Sequence, residues 1–238
     1  MPMPYSHYAL ARTIAEQASL SITDQSAYLV GAFMPDIRYF TQQPRDKYHF
    51  PVERLEPYRQ TDTSADYLLG YKVHLLIDEV WEYPELKKTY KEAFPSMVRQ
   101  RMTRGLQALA FEMYCLKQSV DIVQLKPVEN DLTRALEIPS SDIEWAVTSM
   151  QRYLEQHDLE AALEMAKETK LFPEERLQTV EQVVKVMKSP FVRPVVYGIV
   201  GRASRQIFPK VVAHVIDRLE QDVNPQSLSA ERERATLG

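Results

Sequence analysis

The stretch from Thr61 to Trp81, TDTSADYLLGYKVHLLIDEVW, decides how this chain is read. It predicts a helix. Thr61, Thr63 and Ser64 are each suited to N-capping, because their hydroxyls can accept from the free N–H groups of a first turn. Asp66 would place a negative charge at the positive end of the helix dipole. Tyr83-Pro84 ends the segment, since the residue before proline is pushed out of helical backbone. Tyr67, Leu68, Tyr71, Leu75 and Val80 supply apolar faces. Asp66, Gly70, His74 and Asp78 recur every fourth residue, so they line one side of the helix.

His74 and Asp78 are one turn apart, about 6 Å along the axis. Side chains at that offset can chelate one metal ion or bridge two. They can also simply hydrogen-bond to each other and fix a helix packing. Val73, Leu75, Leu76, Ile77, Val80 and Trp81 flank them and predict burial, and buried charge needs a partner or a metal. Gly70 lacks a side chain and predicts close approach of another segment.

Working outward, residues 5–19 predict a helix with His7 in its first turn. Residues 23–33 predict a second helix, with Thr23 as its N-cap and Met34-Pro35 as its stop. Asp36 follows directly. Residues 37–60 predict a long loop, a type of segment that often carries function. It places Arg38, Arg45 and Lys47 between Asp36 and His49. Each piece has an ordinary reading: a half-exposed terminal histidine, Pro-Asp turn chemistry, a solvated loop. Taken together, His7, Asp36, His49, His74 and Asp78 form a set of imidazole and carboxylate ligands suited to zinc, iron or manganese. The three cations then suit a phosphate beside that metal.

The 238 residues, 45% hydrophobic and 26% charged, are ordinary for a globular protein. Fifteen prolines against six glycines, falling between apolar periodic segments, favour helices over a sheet. The net charge of −4 argues against a nucleic-acid coat, so no stable nucleic-acid complex is expected. Cys115 is the single cysteine, which excludes an intramolecular disulfide and a thiolate zinc finger. The N-terminus lacks a signal-peptide pattern. No uninterrupted apolar run reaches the roughly 18 residues of a membrane span. The expectation is a cytoplasmic enzyme.

Beyond Pro84 the pattern stays helical, over 85–93, 96–118, 140–156, 158–170, 174–188 and about 209–222, with a proline-bounded connector at 127–139. Glu112, in the apolar run Leu109–Leu116, faces either the site or solvent. Cys115 reads as a small core residue. His157 reads as solvent-facing at a polar helix end. His214 and Asp217 look like a lesser copy of the His74–Asp78 pair. Residues 185–210 combine six cations with apolar residues and carry no acid. They predict either a lip for peripheral contact with phosphate or an anionic membrane, or a core helix pair whose cations snorkel to water. The expected organisation is one all-α domain over 1–222, with its metal-site portion at 1–82, and a polar, frayed tail over 223–238.

The order of His7, Gly31-Ala32 with Pro35-Asp36, His49-Phe50, and Gly70 through His74 to Asp78 resembles the zinc-dependent phospholipase C family, which shares its fold with single-strand-specific zinc nucleases. The opening MPMPYSHYALA is similar to short, leaderless bacterial members. The resemblance covers about residues 1–82. It implies an all-α fold around a metal cluster, commonly zinc. Asp36, His49, His74 and Asp78 would surround one ion, with Asp78 bridging to a second ion shared with His7. It also implies a metal-activated water that attacks a phosphodiester or phosphomonoester.

Two departures stand out. Met1-Pro2 replaces the N-terminal tryptophan ligand of the secreted members, and no histidine occurs between Asp78 and His157. A further metal position is therefore missing, or is rebuilt from Glu79, Glu82 or Glu112. The expectation is one zinc ion or two, with Asp36 binding metal and orienting water, and Arg38, Arg45 and Lys47 contacting the phosphate-ester substrate. The alternative is a non-catalytic helical protein with a structural metal. An HD-type phosphohydrolase would need an adjacent His-Asp pair, and His157-Asp158 lacks the matching frame.

Overall fold

Gly31 and Gly70 bring two helices together backbone to backbone, and the rest of the N-terminal region is built on that crossing. A Cβ on Gly70 would stand 1.8 Å from the carbonyl oxygen of Tyr28, and one on Gly31 would stand 2.1 Å from that of Tyr67. The helices are α2 (Gln25–Phe33) and α5 (Ala65–Trp81). The computed structural model describes residues 4–92, 94, 104–118, 121–168, 174, 177–178, 181–182, 184–185, 189–190 and 193–223. Among them the chain is all-α, without a strand.

The other elements are α1 (Pro4–Gln17), α3 (Arg38–Thr41), α4 (Arg45–Tyr48), α6 (Pro84–Glu92), α7 (Arg104–Cys115), α8 (Asp131–Ala135), α9 (Ser140–Gln156), α10 (Leu159–Glu168) and α11 (Arg193–Val223). Turns of 3-10 helix span Met34–Ile37 and Val52–Gln60. The predicted helix over 140–156 is found at those residues as α9. Predicted helical residues 96–103, much of 169–188, and the tail from 224 lie outside the described residues.

α5 is the central helix. Tyr67, Tyr71, Val73, Leu76 and Ile77 are all buried, and a helix that is apolar nearly all round belongs inside a fold. Its buried polar residues are tied in turn. Asp66 accepts from the Thr23 N–H at 3.1 Å, the Thr23 hydroxyl at 2.7 Å and the Asp24 N–H at 2.7 Å. Thr23 is therefore not the cap of α2. Asp24 takes that place and accepts from the Ala27 N–H at 2.9 Å, while Thr23 joins α5 to the start of α2. The Tyr71 hydroxyl donates to the Tyr48 carbonyl at 2.7 Å and fixes the chain just ahead of His49. The Tyr28 hydroxyl donates to the Ala11 carbonyl at 2.9 Å and ties α1 to α2.

Two expectations are corrected. The long loop over 37–60 is mostly helical turns. Pro44 and Pro51, with φ of −59° and −55°, sit immediately before α4 and the second 3-10 segment and start both. The second correction is at Pro209, which does not begin a new helix: α11 runs through it. Burial of Ala203, Ile207, Val211, Val212 and Val215 holds the helix across the hydrogen bond that proline removes. Arg202, Arg205 and Lys210 lie on its exposed side, so this part of the basic stretch is an apolar face with solvated cations, in one helix rather than a pair. Among the described residues no helix is long and apolar enough to cross a membrane.

Candidate metal centre

Five side chains from four short stretches meet beside the α2–α5 crossing. His7 comes from the first turn of α1, Asp36 from the 3-10 turn after α2, and His49 from the residue after α4. His74 and Asp78 come from α5. Their side chains are at most 5% exposed. Pro35 ends α2 so that Asp36 turns inward.

His74 sets the chemistry. Its Nδ1 lies 2.8 Å from the Ala32 carbonyl oxygen. A carbonyl only accepts, so Nδ1 carries the proton and Nε2 presents a lone pair to the cluster. Burial pushes the His74 pKa well below the ordinary histidine range, reinforced by His7 and His49. His49 Nε2 is 3.2 Å from His74 Nε2 and 3.2 Å from Asp78 Oδ2. His7 stacks on His74 with ring centroids 3.9 Å apart and 10° between planes, and its Nε2 is 3.5 Å from Asp78 Oδ1 and 3.9 Å from Asp36 Oδ2. Asp36 Oδ1 is 3.7 Å from His49 Nε2.

The two carboxylates differ. Burial pushes the Asp36 pKa up, against the pull of His7, His49 and Arg38. Burial also opposes ionisation of Asp78, but the adjacent imidazoles of His49, His7 and His74 hold its pKa well below the carboxylate range.

These buried His and Asp groups could hold a metal ion. The donors of His7, His74 and Asp78 lie within 4.8 Å of one another, as do those of Asp36, His49 and His74. Ligands on a tetrahedral ion at about 2.0–2.1 Å stand about 3.3–3.4 Å apart, close to several spacings above. Among the described residues none hydrogen-bonds to His7 Nδ1 or Nε2, Asp36 Oδ1, His49 Nδ1 or Asp78 Oδ1. Buried polar atoms left in that state are costly, and a cation would satisfy those that face it. His74 Nε2 can serve one ion only. The two ligand sets therefore describe one ion, or two ions of which one lacks His74.

Arg45 marks the exposed side. It donates to Asp78 Oδ2 at 2.6 Å, and its side chain is 48% exposed. Arg38 lies 3.8 Å from Asp36 and stacks over Tyr39 at 4.0 Å. Lys47 is turned elsewhere, with its ammonium 3.5 Å from Glu137.

The glutamates read as replacement ligands do not join the cluster. Glu79 and Glu82 are exposed and pair with Arg218 and Lys87. Glu112 is fully buried but meets the start of α1. His157 is half-buried, not solvent-facing, with its ring edge-on to Tyr5 at 4.8 Å. His214 is exposed beside Tyr83. Cys115 is a buried core residue whose thiol pKa is raised by burial. Sequence reasoning missed the Ala32 carbonyl, because a main-chain acceptor leaves no mark in residue identity. It also missed Tyr71 as the support of the His49 segment.

No family model, curated protein or solved structure matches the chain.

Proposed function

We propose that His7, Asp36, His49, His74 and Asp78 form a metal centre, with zinc the first candidate and iron or manganese the others, and that the chain is a metal-dependent phosphoric ester hydrolase. The observation that carries this reading is the convergence of two buried carboxylates and three imidazoles, with His7 Nε2, Asp36 Oδ1 and Asp78 Oδ1 left without a hydrogen-bond partner among the described residues. Three imidazole nitrogens and two carboxylates suit a borderline divalent ion. The carboxylate pair also balances its charge.

A divalent ion bound there supplies Lewis acidity and a water of lowered pKa. The chain's own residues do the remaining work. Asp36 would help hold that ion and accept a hydrogen bond from its water, orienting it. His74, locked by Ala32, keeps its Nε2 lone pair unprotonated. Arg45 and Arg38 neutralise the charge that develops on phosphoryl oxygens. Arg45 is the group on the solvent side, so it meets a phosphate first. The substrate class is a phosphate ester, from a lipid head group to a nucleotide or a small monoester.

The second reading is a structural metal. What favours it is the burial of all five ligands, since a structural ion leaves no open position. Hydrolysis of an aryl phosphodiester and an aryl phosphomonoester separates the two. The hydrolase reading expects turnover that chelation abolishes and zinc or manganese restores, and that falls about 100-fold or more in Asp36→Asn. Bound metal without turnover on either ester supports the structural reading.

A further inference from the structure

We propose that Glu112 is a positioning residue, holding the first turn of α1 in the register that delivers the His7 imidazole to the cluster. Glu112 lies on α7, and its carboxylate holds residues distant from it in sequence. Its Oε1 accepts from the Tyr5 N–H at 2.9 Å and its Oε2 from the Ser6 N–H at 2.7 Å. The Ser6 hydroxyl also donates to Oε2. The Tyr153 hydroxyl donates to Oε1 at 2.6 Å. One carboxylate thus joins α1, α7 and α9.

The first N–H groups of a helix have no partner within it, and a carboxylate there is favoured by the helix dipole. That alone would make Glu112 a cap. Its location makes it more. The two peptide groups it grips are those of the residues immediately before His7. Neither ring nitrogen of His7 has a hydrogen-bond partner among the described residues. The ring therefore takes its place from the backbone of this turn and from its stack on His74. Ligands must be held to about 0.5 Å to work as a set, and a helix turn released from its anchor does not hold that tolerance. Glu112 does for His7 what the Ala32 carbonyl does for His74, acting on the backbone rather than on the ring.

The last step of this inference rests on the metal reading; the placement of the ring does not. Two arms keep them apart. In metal-free protein with nitrogen-labelled histidine, Glu112→Gln is expected to shift the His7 ring resonances and weaken the His7–His74 ring contact, with His49 unmoved. Ser6→Ala, which removes one donor and leaves the carboxylate, is expected to shift them the same way by less, and it decides the question if Glu112→Gln does not fold. Unmoved His7 resonances in the folded variants overturn the proposal. In the second arm, cobalt(II) titration is expected to show affinity lowered about 10- to 100-fold in Glu112→Gln, with a changed visible spectrum as one imidazole is lost. Equal affinity and an unchanged spectrum overturn it. If the unaltered protein binds no cobalt, the metal reading fails, and the His7 resonances still decide the role of Glu112.

Discussion

His74 donates from Nδ1 to the carbonyl oxygen of Ala32 at 2.8 Å, so the residue at the middle of the cluster also ties α5 to α2. Both roles go when the ring is removed. His74→Ala is expected to lose bound metal. It is also expected to destabilise the metal-free fold by at least the roughly 1–3 kcal/mol of a stranded buried acceptor, read from urea unfolding. A variant with full metal stoichiometry and unchanged stability would contradict both assignments.

The crossing of α2 and α5 tolerates no side chain at its two glycines. Gly70→Ala would force a methyl to 1.8 Å from the Tyr28 carbonyl oxygen, and Gly31→Ala to 2.1 Å from that of Tyr67. The neighbours are main-chain atoms and cannot rotate away. Each substitution is expected to cost about 3 kcal/mol or more, and to weaken metal binding because Ala32 and His74 are pushed apart. Thermal unfolding and metal titration of the two variants check this.

Acid destabilises the metal-free protein through His74. Its folded pKa lies well below the ordinary 6.5, so just below pH 6.5 the unfolded chain binds the extra proton. The stability His74 contributes is therefore full above pH 6.5 and is lost as pH falls toward the folded value. Asp36, raised above its ordinary 3.8, acts in the opposite sense: its folded form keeps the proton longer, so stability falls as pH rises from 3.8 toward the folded value. Asp78, held well below 3.8, contributes stability that is lost only in stronger acid. Urea midpoints of the metal-free protein between pH 7.5 and 5 are expected to fall with acidification; a flat profile through 6.5 would contradict the lowered His74.

Arg45 and Lys47, two residues apart, are expected to behave differently. Arg45 touches Asp78 at 2.6 Å, whereas Lys47 pairs with an exposed Glu137 at 3.5 Å. Arg45→Gln should weaken inhibition by inorganic phosphate about tenfold while metal stays bound, the loss of one charge-assisted contact of roughly 1.5 kcal/mol. Lys47→Ala should leave phosphate inhibition unchanged and alter stability by about 1 kcal/mol or less. Equal effects would mean that the arginine has no special relation to the centre.

Much of this architecture is legible in the sequence, because helix periodicity and proline stops are local. The apolar flanks of His74 and Asp78 predict their burial, and Gly70 predicts the close approach of another segment, which the structure identifies as α2. The contacts that need distant residues are not legible. Asp66 reads as a helix-dipole charge but reaches back to Thr23. Glu112 reads as a candidate ligand or an exposed acid, yet it grips the start of α1, because only the folded topology brings α7 to that turn. Pro209 reads as a break, since local propensity cannot weigh the apolar face that carries α11 through it. Each of the five ligand candidates is legible because it follows a local signal: a helix start, a proline stop, an aromatic-flanked loop end or a helical interval.

The most direct test of the central claim is the metal content of the purified protein by elemental analysis, alongside His74→Ala and after zinc or manganese loading. One or two equivalents are expected in the unaltered protein and close to none in the variant. No metal under any loading condition would contradict the claim, and would make the five-residue cluster a packing motif.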